Sequence, residues 1–200
     1  MNISGMIELK ENGFPVMNNL IIFRKFEEIP EANLNVNGKE KRWAMRGFDD
    51  RVSIFDIPYK WKNYTKHGFT GEEAKKIFEE TNNEMDKDNI PKENRIFLIC
   101  DVFFSDEVIF SGHAHYNGEE IVIDVLNGNR PSGRDWTPDF SVKVPIINNK
   151  LMLKQLHDSK YSEHLIQICE DIRKFHHRCY LDFTMLKKGR FFYHDLNLIK

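Results

Sequence analysis

Asp195 and Asn197 lie in the closing stretch GRFFYHDLNLIK, residues 189 to 200, with one apolar residue between them. On a strand, side chains two apart share a face. A carboxylate and an amide oxygen then stand together among aromatic neighbours, where an unpaired charge is costly. Such a pair can end an edge strand with polar groups that discourage aggregation, or it can hold a divalent cation between oxygen ligands. His113 and His115, in FSGHAHY, share a strand face in the same way. No third ligand is evident, which argues against zinc and makes His113 a candidate for phosphate contact or acid–base catalysis. The turn NGNRPSG, residues 127 to 133, can aim backbone N–H groups at an anion, and Arg130 adds charge. It lacks the lysine and spacing of a Walker loop, so a plain turn explains it as well.

Composition narrows the classes of partner. The 200 residues are 40% apolar, enough to bury a substantial core in one domain or two small lobes. Acidic and basic residues number 31 and 29 and are well mixed, so no global field points to nucleic acid or to an anionic membrane. The stretch KWKNYTKHGF alternates bases with aromatics, but a solvated loop with inward rings accounts for it, and nucleic acid is not expected as a partner. Cys100, Cys169 and Cys179 are odd in number and far apart, which fits neither a disulfide framework nor a zinc site and points to a reducing cytoplasm. The N-terminus lacks a secretion signal and no apolar run is long enough to span a bilayer. A cytoplasmic protein without a membrane partner is therefore expected.

The elements that must position these residues follow from pattern. Residues 4 to 12 read as a short helix ended by Gly13, LIIF at 20 to 23 as a buried strand, and RWAMR at 42 to 46 as another. Gly47 to Phe69 has no clean period and reads as a loop carrying a short element. Thr70 with Glu73 forms a capping box for a helix from 71 to about 86, with Ala74, Ile77 and Phe78 at helical spacing. RIFLICDVFF, EVIFSGHAHY and EEIVIDVLNG are β-branched and aromatic runs that argue for one antiparallel sheet. Leu165, Ile168, Cys169, Ile172 and Phe175 make an apolar stripe on a helix between 159 and 177. CYLDFTML, KKG and RFFYHDLNLI then form a terminal hairpin.

Taken in order, these fragments resemble the ATP-binding domain of phosphoenolpyruvate synthase and pyruvate phosphate dikinase, a member of the ATP-grasp superfamily. ELKENGFPV is similar to that domain's opening helix and G-[LF]-P-V turn, and WAMR to its W-A-V-R strand. EEIVIDVLNG is similar to E-I-V-I-E-A-x-x-G, and SGRDWTPDFSVKV to its S-G, T-P-D and strand. The final hairpin is similar to I-E-W-x-x-x-x-G-x-x-x-x-L-Q-A-R-P-I, while Asp195-x-Asn197 is closer to the E-x-N of ATP-grasp proteins in general. The chain departs from the pattern at the phosphate-contacting lysine of the opening, for which Lys10, Arg24 or Lys25 would have to substitute from another element, and at the Ser-Ser after the arginine.

The resemblance implies an α+β, ATP-grasp-like fold of two lobes, residues 1–97 and 98–200, with antiparallel sheets, covering helices and a nucleotide cleft between them. It implies ATP and Mg2+ as cofactors, with Asp182, Asp195 and Asn197 as metal ligands. Arg46 would reach the phosphates, and Cys100 and Asp101 would stand in the hinge that cups adenine and ribose. Lys25 would add a nucleotide contact, and the residues themselves add Arg130 as another and His113, together with Arg46, as catalytic. The expected reaction is phosphoryl transfer to an unknown acceptor, which a separate protein subunit would carry, since the chain has no room for the larger enzymes' other domains. The alternatives are a carboxylate ligase working through an acyl phosphate, and a nucleotide-binding module without turnover.

Overall fold

The computed structural model of the chain describes residues 3–34, 42–52, 64–102, 107–128, 137–157 and 160–199. Helix α1 (Ile3–Glu11) buries Ile3, Met6 and Leu9 along one side. Gly13 ends it with φ +72°, a conformation that favours glycine, and Phe14 N–H donates back to the Leu9 carbonyl at 3.0 Å.

Strand β1 (Ile21–Phe23) and the short helix α2 (Glu31–Leu34) lead to β2 (Trp43–Asp49), β3 (Tyr64–Phe69), α3 (Ala74–Lys87) and β4 (Arg95–Asp101). The four strands form an antiparallel sheet in the order β1-β4-β2-β3. Its outer face packs Trp43, Met45, Phe97 and Ile99 under Met85 and Ala74 of α3. The expected capping box is present: Thr70 N–H donates to the Glu73 carboxylate at 2.8 Å. Arg95, 4% exposed, ties β4 to the end of α3 through Asp86 and the Ile90 and Asn82 carbonyls.

The second sheet is antiparallel as well: β5 (Val108–Tyr116), β6 (Glu120–Asn127), β7 (Phe140–Ile147), β8 (Lys150–Leu151), β9 (Arg178–Leu186) and β10 (Arg190–Ile199), in the order β10-β9-β5-β6-β7-β8. Helix α4 (Ser162–Arg173) covers its apolar face with the predicted stripe, Leu165, Ile168, Cys169 and Ile172, all buried. The terminal hairpin is as expected.

Two readings of the sequence are corrected. RIFLIC does not join the strands that follow it: β4 pairs with β1 and β2 as a central strand of the first sheet. Its continuous apolar character reflects burial on both faces. The expected division at 97 and 98 therefore falls inside a strand. Residues 64 to 69, read as loop, form edge strand β3, in which only the end residues Tyr64 and Phe69 are buried. Its polar middle hides the alternation. Ala44, Phe48, Leu98 and Cys100 of the first sheet lie in one core cluster with Ala114, Leu181 and Leu196 of the second, so the two sheets share hydrophobic contacts.

Candidate functional site

The terminal hairpin pairs Tyr193 with Phe183 and, one step on, Asp195 with Asp182. Regular antiparallel pairing would set Asp195 opposite Leu181 and His194 opposite Asp182. A bulge at His194 shifts the register by one residue, and such a shift moves every later side chain to the other face. The two carboxylates thereby share one face, with directly opposed Cβ atoms about 5 Å apart.

Three contacts hold β10 in that register. Tyr193, fully buried, donates its hydroxyl to Asp171 of α4 at 2.7 Å, and its N–H goes to the Pro15 carbonyl at 2.8 Å. Asp171 also accepts from Lys174 and Gln167. On the other side α1 presses against the strand at Leu196, between Asp195 and Asn197: a Cβ at Gly5 would stand 2.0 Å from the Leu196 carbonyl oxygen.

Burial and the neighbouring Asp195 charge push the Asp182 carboxyl up to about 7. Asp195 is 5% exposed. Asn197, on the same face as Asp195, has a buried Oδ1 that accepts no hydrogen bond. A buried oxygen left in this way asks for an explanation. Two carboxylates and an amide oxygen form the donor set that a hard divalent cation prefers, and they fit Mg2+ supplemented by water or phosphate oxygens.

Arg46 of β2 belongs to the first sheet but acts on the same place. Burial lowers its pKa, while Cys100 and the Asp195 carboxylate work in the opposite direction. His194, at the bulge, is pushed down to about 4, chiefly by burial, with Asp195 opposing that shift and Arg46 adding to it. The site therefore draws residues from both sheets: Asp182, Asp195 and Asn197 from one, Arg46 from the other.

His113 occupies the next position in the row, opposite Asp182 on β9 and opposite Asp124 on β6. Its Nε2 lies 3.2 Å from Asp124 Oδ2. His115 stacks on Tyr180 with ring centroids 4.3 Å apart. Among the described residues no group of three or more His, Cys, Asp or Glu side chains is placed to hold a metal ion, so the candidate cation set rests on two carboxylates and the Asn197 amide.

The other described residues of the predicted set take different positions. Cys100 shares the inner strand face with Arg46, but its thiol is buried against Met17 and pushed up to about 12. Asp101, one residue on, turns to the opposite face beside Trp43 and accepts from Asn19 at 2.8 Å. Lys25 is exposed beyond β1. Arg130 lies outside the described residues.

Sequence reasoning missed His194, Asp124 and Ser141. The Asn117-Gly118 turn carried the signal for Asp124: counting back from Tyr116 opposite Ile121 brings His113 opposite Asp124, whereas Ser141 faces Asp124 through the separate pairing of β6 with β7. Nothing local announces the bulge at His194.

No family model matches the chain, and no curated protein matches it by sequence. Solved structures do. D-alanyl-alanine synthetase A from Vibrio cholerae O1 biovar eltor superposes with a TM-score of 0.50 at 12% identity, over 98% of this chain and 54% of that one. The macrocyclase MdnC from Microcystis aeruginosa, bound with precursor peptide MdnA, gives 0.48 and 12% over 98% and 51%. The chain thus spans about half the length of the solved structures it matches. The first likeness shows the fold: α+β and ATP-grasp-like, with two antiparallel sheets and few helices.

Proposed function

We propose that this protein uses ATP and Mg2+ to transfer a phosphoryl group to a carboxylate, forming an acyl phosphate as an ATP-grasp ligase does. One observation carries the reading: Asp182 and Asp195 directly opposed across the hairpin, with the buried, unsatisfied Asn197 Oδ1 on the same face. Asp182, Asp195 and Asn197 would hold the cation. When bound, Mg2+ draws negative charge from the phosphate oxygens, the main requirement of phosphoryl transfer. Arg46 would bind the polyphosphate from the opposite sheet, its fixed fork suited to phosphate oxygens. Burial of these groups strengthens their hold on an anion by excluding water. The three cysteines, all buried free thiols, suit a cytoplasmic setting. Among the described residues no helix is long and apolar enough to cross a membrane.

A second reading keeps the chemistry and changes the acceptor. The collinear likeness to phosphoenolpyruvate synthase, with Arg46 on a W-A-M-R strand facing the carboxylates, favours a phosphotransferase whose acceptor is carried by a separate subunit.

Incubation with ATP, Mg2+, hydroxylamine and a panel of carboxylic acids separates the two. The ligase reading expects hydroxamate and ADP in equal amounts, both dependent on Mg2+ and both lost in Asp195→Ala. ADP without hydroxamate from any acid would remove the carboxylate from the account. Absence of ADP under every condition would remove phosphoryl transfer altogether.

A further inference from the structure

A cleft of about 520 Å³ opens on the helix-bearing side of the second sheet, between the end of α1 and the turn that joins α4 to β9. That size is within the range of small-molecule sites. Leu198 of β10 lines it. Side chains alternate along a strand, so Leu198 points away from the face that carries Asp195 and Asn197. The cleft is therefore separate from the candidate cation site and lies behind the same strand.

Its middle is aromatic and its two sides differ in charge. Phe14, in the turn after α1, stacks on Phe175 with ring centroids 4.9 Å apart, and both rings line the cleft. On the α1 side stands Glu8, half-buried, whose Oε1 accepts from Asn12 Nδ2 at 2.9 Å. Among the described residues its Oε2 accepts no hydrogen bond. On the opposite side the Lys174 ammonium lies 5.4 Å from the Phe14 ring centroid and 2.6 Å from Asp171 Oδ1. An ammonium has three N–H donors, and Asp171 takes one of them. His176 follows at φ +53°, a left-handed conformation uncommon for a residue with a side chain, and it too lines the cleft.

An anion alone would meet the Glu8 carboxylate, and a cation alone would meet Lys174. The complementary ligand carries both charges on an apolar body. We propose that the cleft binds a free amino acid with an apolar side chain: its ammonium against Glu8, its carboxylate against Lys174 and His176, and its side chain over Phe14, Phe175 and Leu198. Such a ligand bridges two elements that already hold β10. Helix α1 does so through Gly5 against Leu196, and Asp171, the partner of Lys174, does so through the Tyr193 hydroxyl. The ligand is thus an effector that braces β10 from behind, not a substrate, and the proposal stands independently of the acyl-phosphate reading.

Calorimetric titration of the full chain with leucine and phenylalanine, each beside its N-acetyl and its amide derivative, tests the assignment without ATP or metal. The free amino acids should bind at least about tenfold tighter than either blocked form, because each block removes one charge-assisted contact. In Glu8→Gln the preference for leucine over N-acetyl-leucine should shrink to within about twofold. In Lys174→Gln the preference over leucine amide should shrink likewise; Glu8→Gln does not touch Asp171 and decides the matter if loss of Lys174 disturbs folding. Nuclear magnetic resonance gives the second readout. Leucine should shift signals of Phe14, Phe175 and Leu198 and slow amide exchange from Leu196 to Ile199 by at least about threefold. No binding of either amino acid at about 10 mM, blocked forms that bind as tightly as free ones, or a full preference retained in Glu8→Gln would each overturn the proposal. So would shifts centred on Asp182 and Asp195, or unchanged exchange along β10 at saturation.

Discussion

At the scale of single residues, Asp182 carries the sharpest consequence. Its carboxyl, raised from an ordinary 3.8 to about 7, keeps in the folded state a proton that the unfolded chain has already lost. Between those values the folded state binds more protons, so this group makes stability fall as pH rises and has no further effect above about pH 7. His194 acts with the opposite sign: depressed from 6.5 to about 4, it lets the unfolded chain bind the extra proton, so stability rises with pH across that window. In wild type the two slopes oppose each other, and urea midpoints should be nearly flat from pH 4.5 to 6.5 on their account. Asp182→Asn should uncover the rising His194 slope and gain on the order of 2 kcal/mol at pH 8 without metal, while losing any stabilisation by Mg2+. A variant less stable than wild type throughout would contradict the raised Asp182 carboxyl, whose causes are burial and then the neighbouring Asp195 charge. The same linkage requires Mg2+ to displace the Asp182 proton. Cation affinity should therefore rise with pH up to about 7, and calorimetry in buffers of different ionisation enthalpy should detect proton release at pH 6.

At the scale of elements, the site depends on how β10 is held. The bulge at His194 sets Asp195 opposite Asp182, and Tyr193 anchors it from beneath through Asp171. Tyr193→Phe should cost about 1 to 2 kcal/mol in chemical denaturation, because the buried Asp171 loses a donor. Gly5→Ala acts from the other side: its methyl group would meet the Leu196 carbonyl oxygen at 2.0 Å, so helix and strand must separate. A loss of about 1 to 3 kcal/mol is expected, together with at least tenfold weaker Mg-ATP binding; unchanged binding would mean that α1 does not position the strand. These elements were unequally legible in the sequence. Helix α4, with Leu165 and Ile168 on its stripe, and the hairpin around KKG follow from periodicity and turn chemistry. The bulge does not, since no Gly or special residue marks it and tertiary contacts to Pro15 and Asp171 impose it. Strand β3 was hidden because Thr65, Lys66 and His67 leave no apolar alternation. RIFLIC was read as a strand correctly and assigned to the wrong sheet, because pairing partners depend on long-range burial that local pattern does not encode.

At the scale of the whole molecule, the two sheets meet through a shared core in which Ala44, Phe48 and Leu98 pack with Ala114, Leu181 and Leu196. They should melt together: far-ultraviolet and near-ultraviolet circular dichroism should give one coincident transition, and two separate transitions would mean that the lobes are independent. The site itself was partly legible. Asp182, Asp195, Asn197 and Arg46 were named from spacing and resemblance, and the structure sets the first two directly opposite each other, whereas Asp101 turns to the opposite strand face because alternation at the end of β4 places it beside Trp43. The central claim is that opposed carboxylates on β9 and β10 hold a cation that carries ATP. Calorimetric titration of ATP in the presence of Mg2+ tests it most directly, with wild type beside Asp195→Ala and Asn197→Leu. The account predicts binding by wild type that disappears when Mg2+ is removed, and affinity at least about tenfold weaker in each variant. Wild-type protein that binds no ATP, or variants that bind it with unchanged affinity and unchanged Mg2+ dependence, would contradict it.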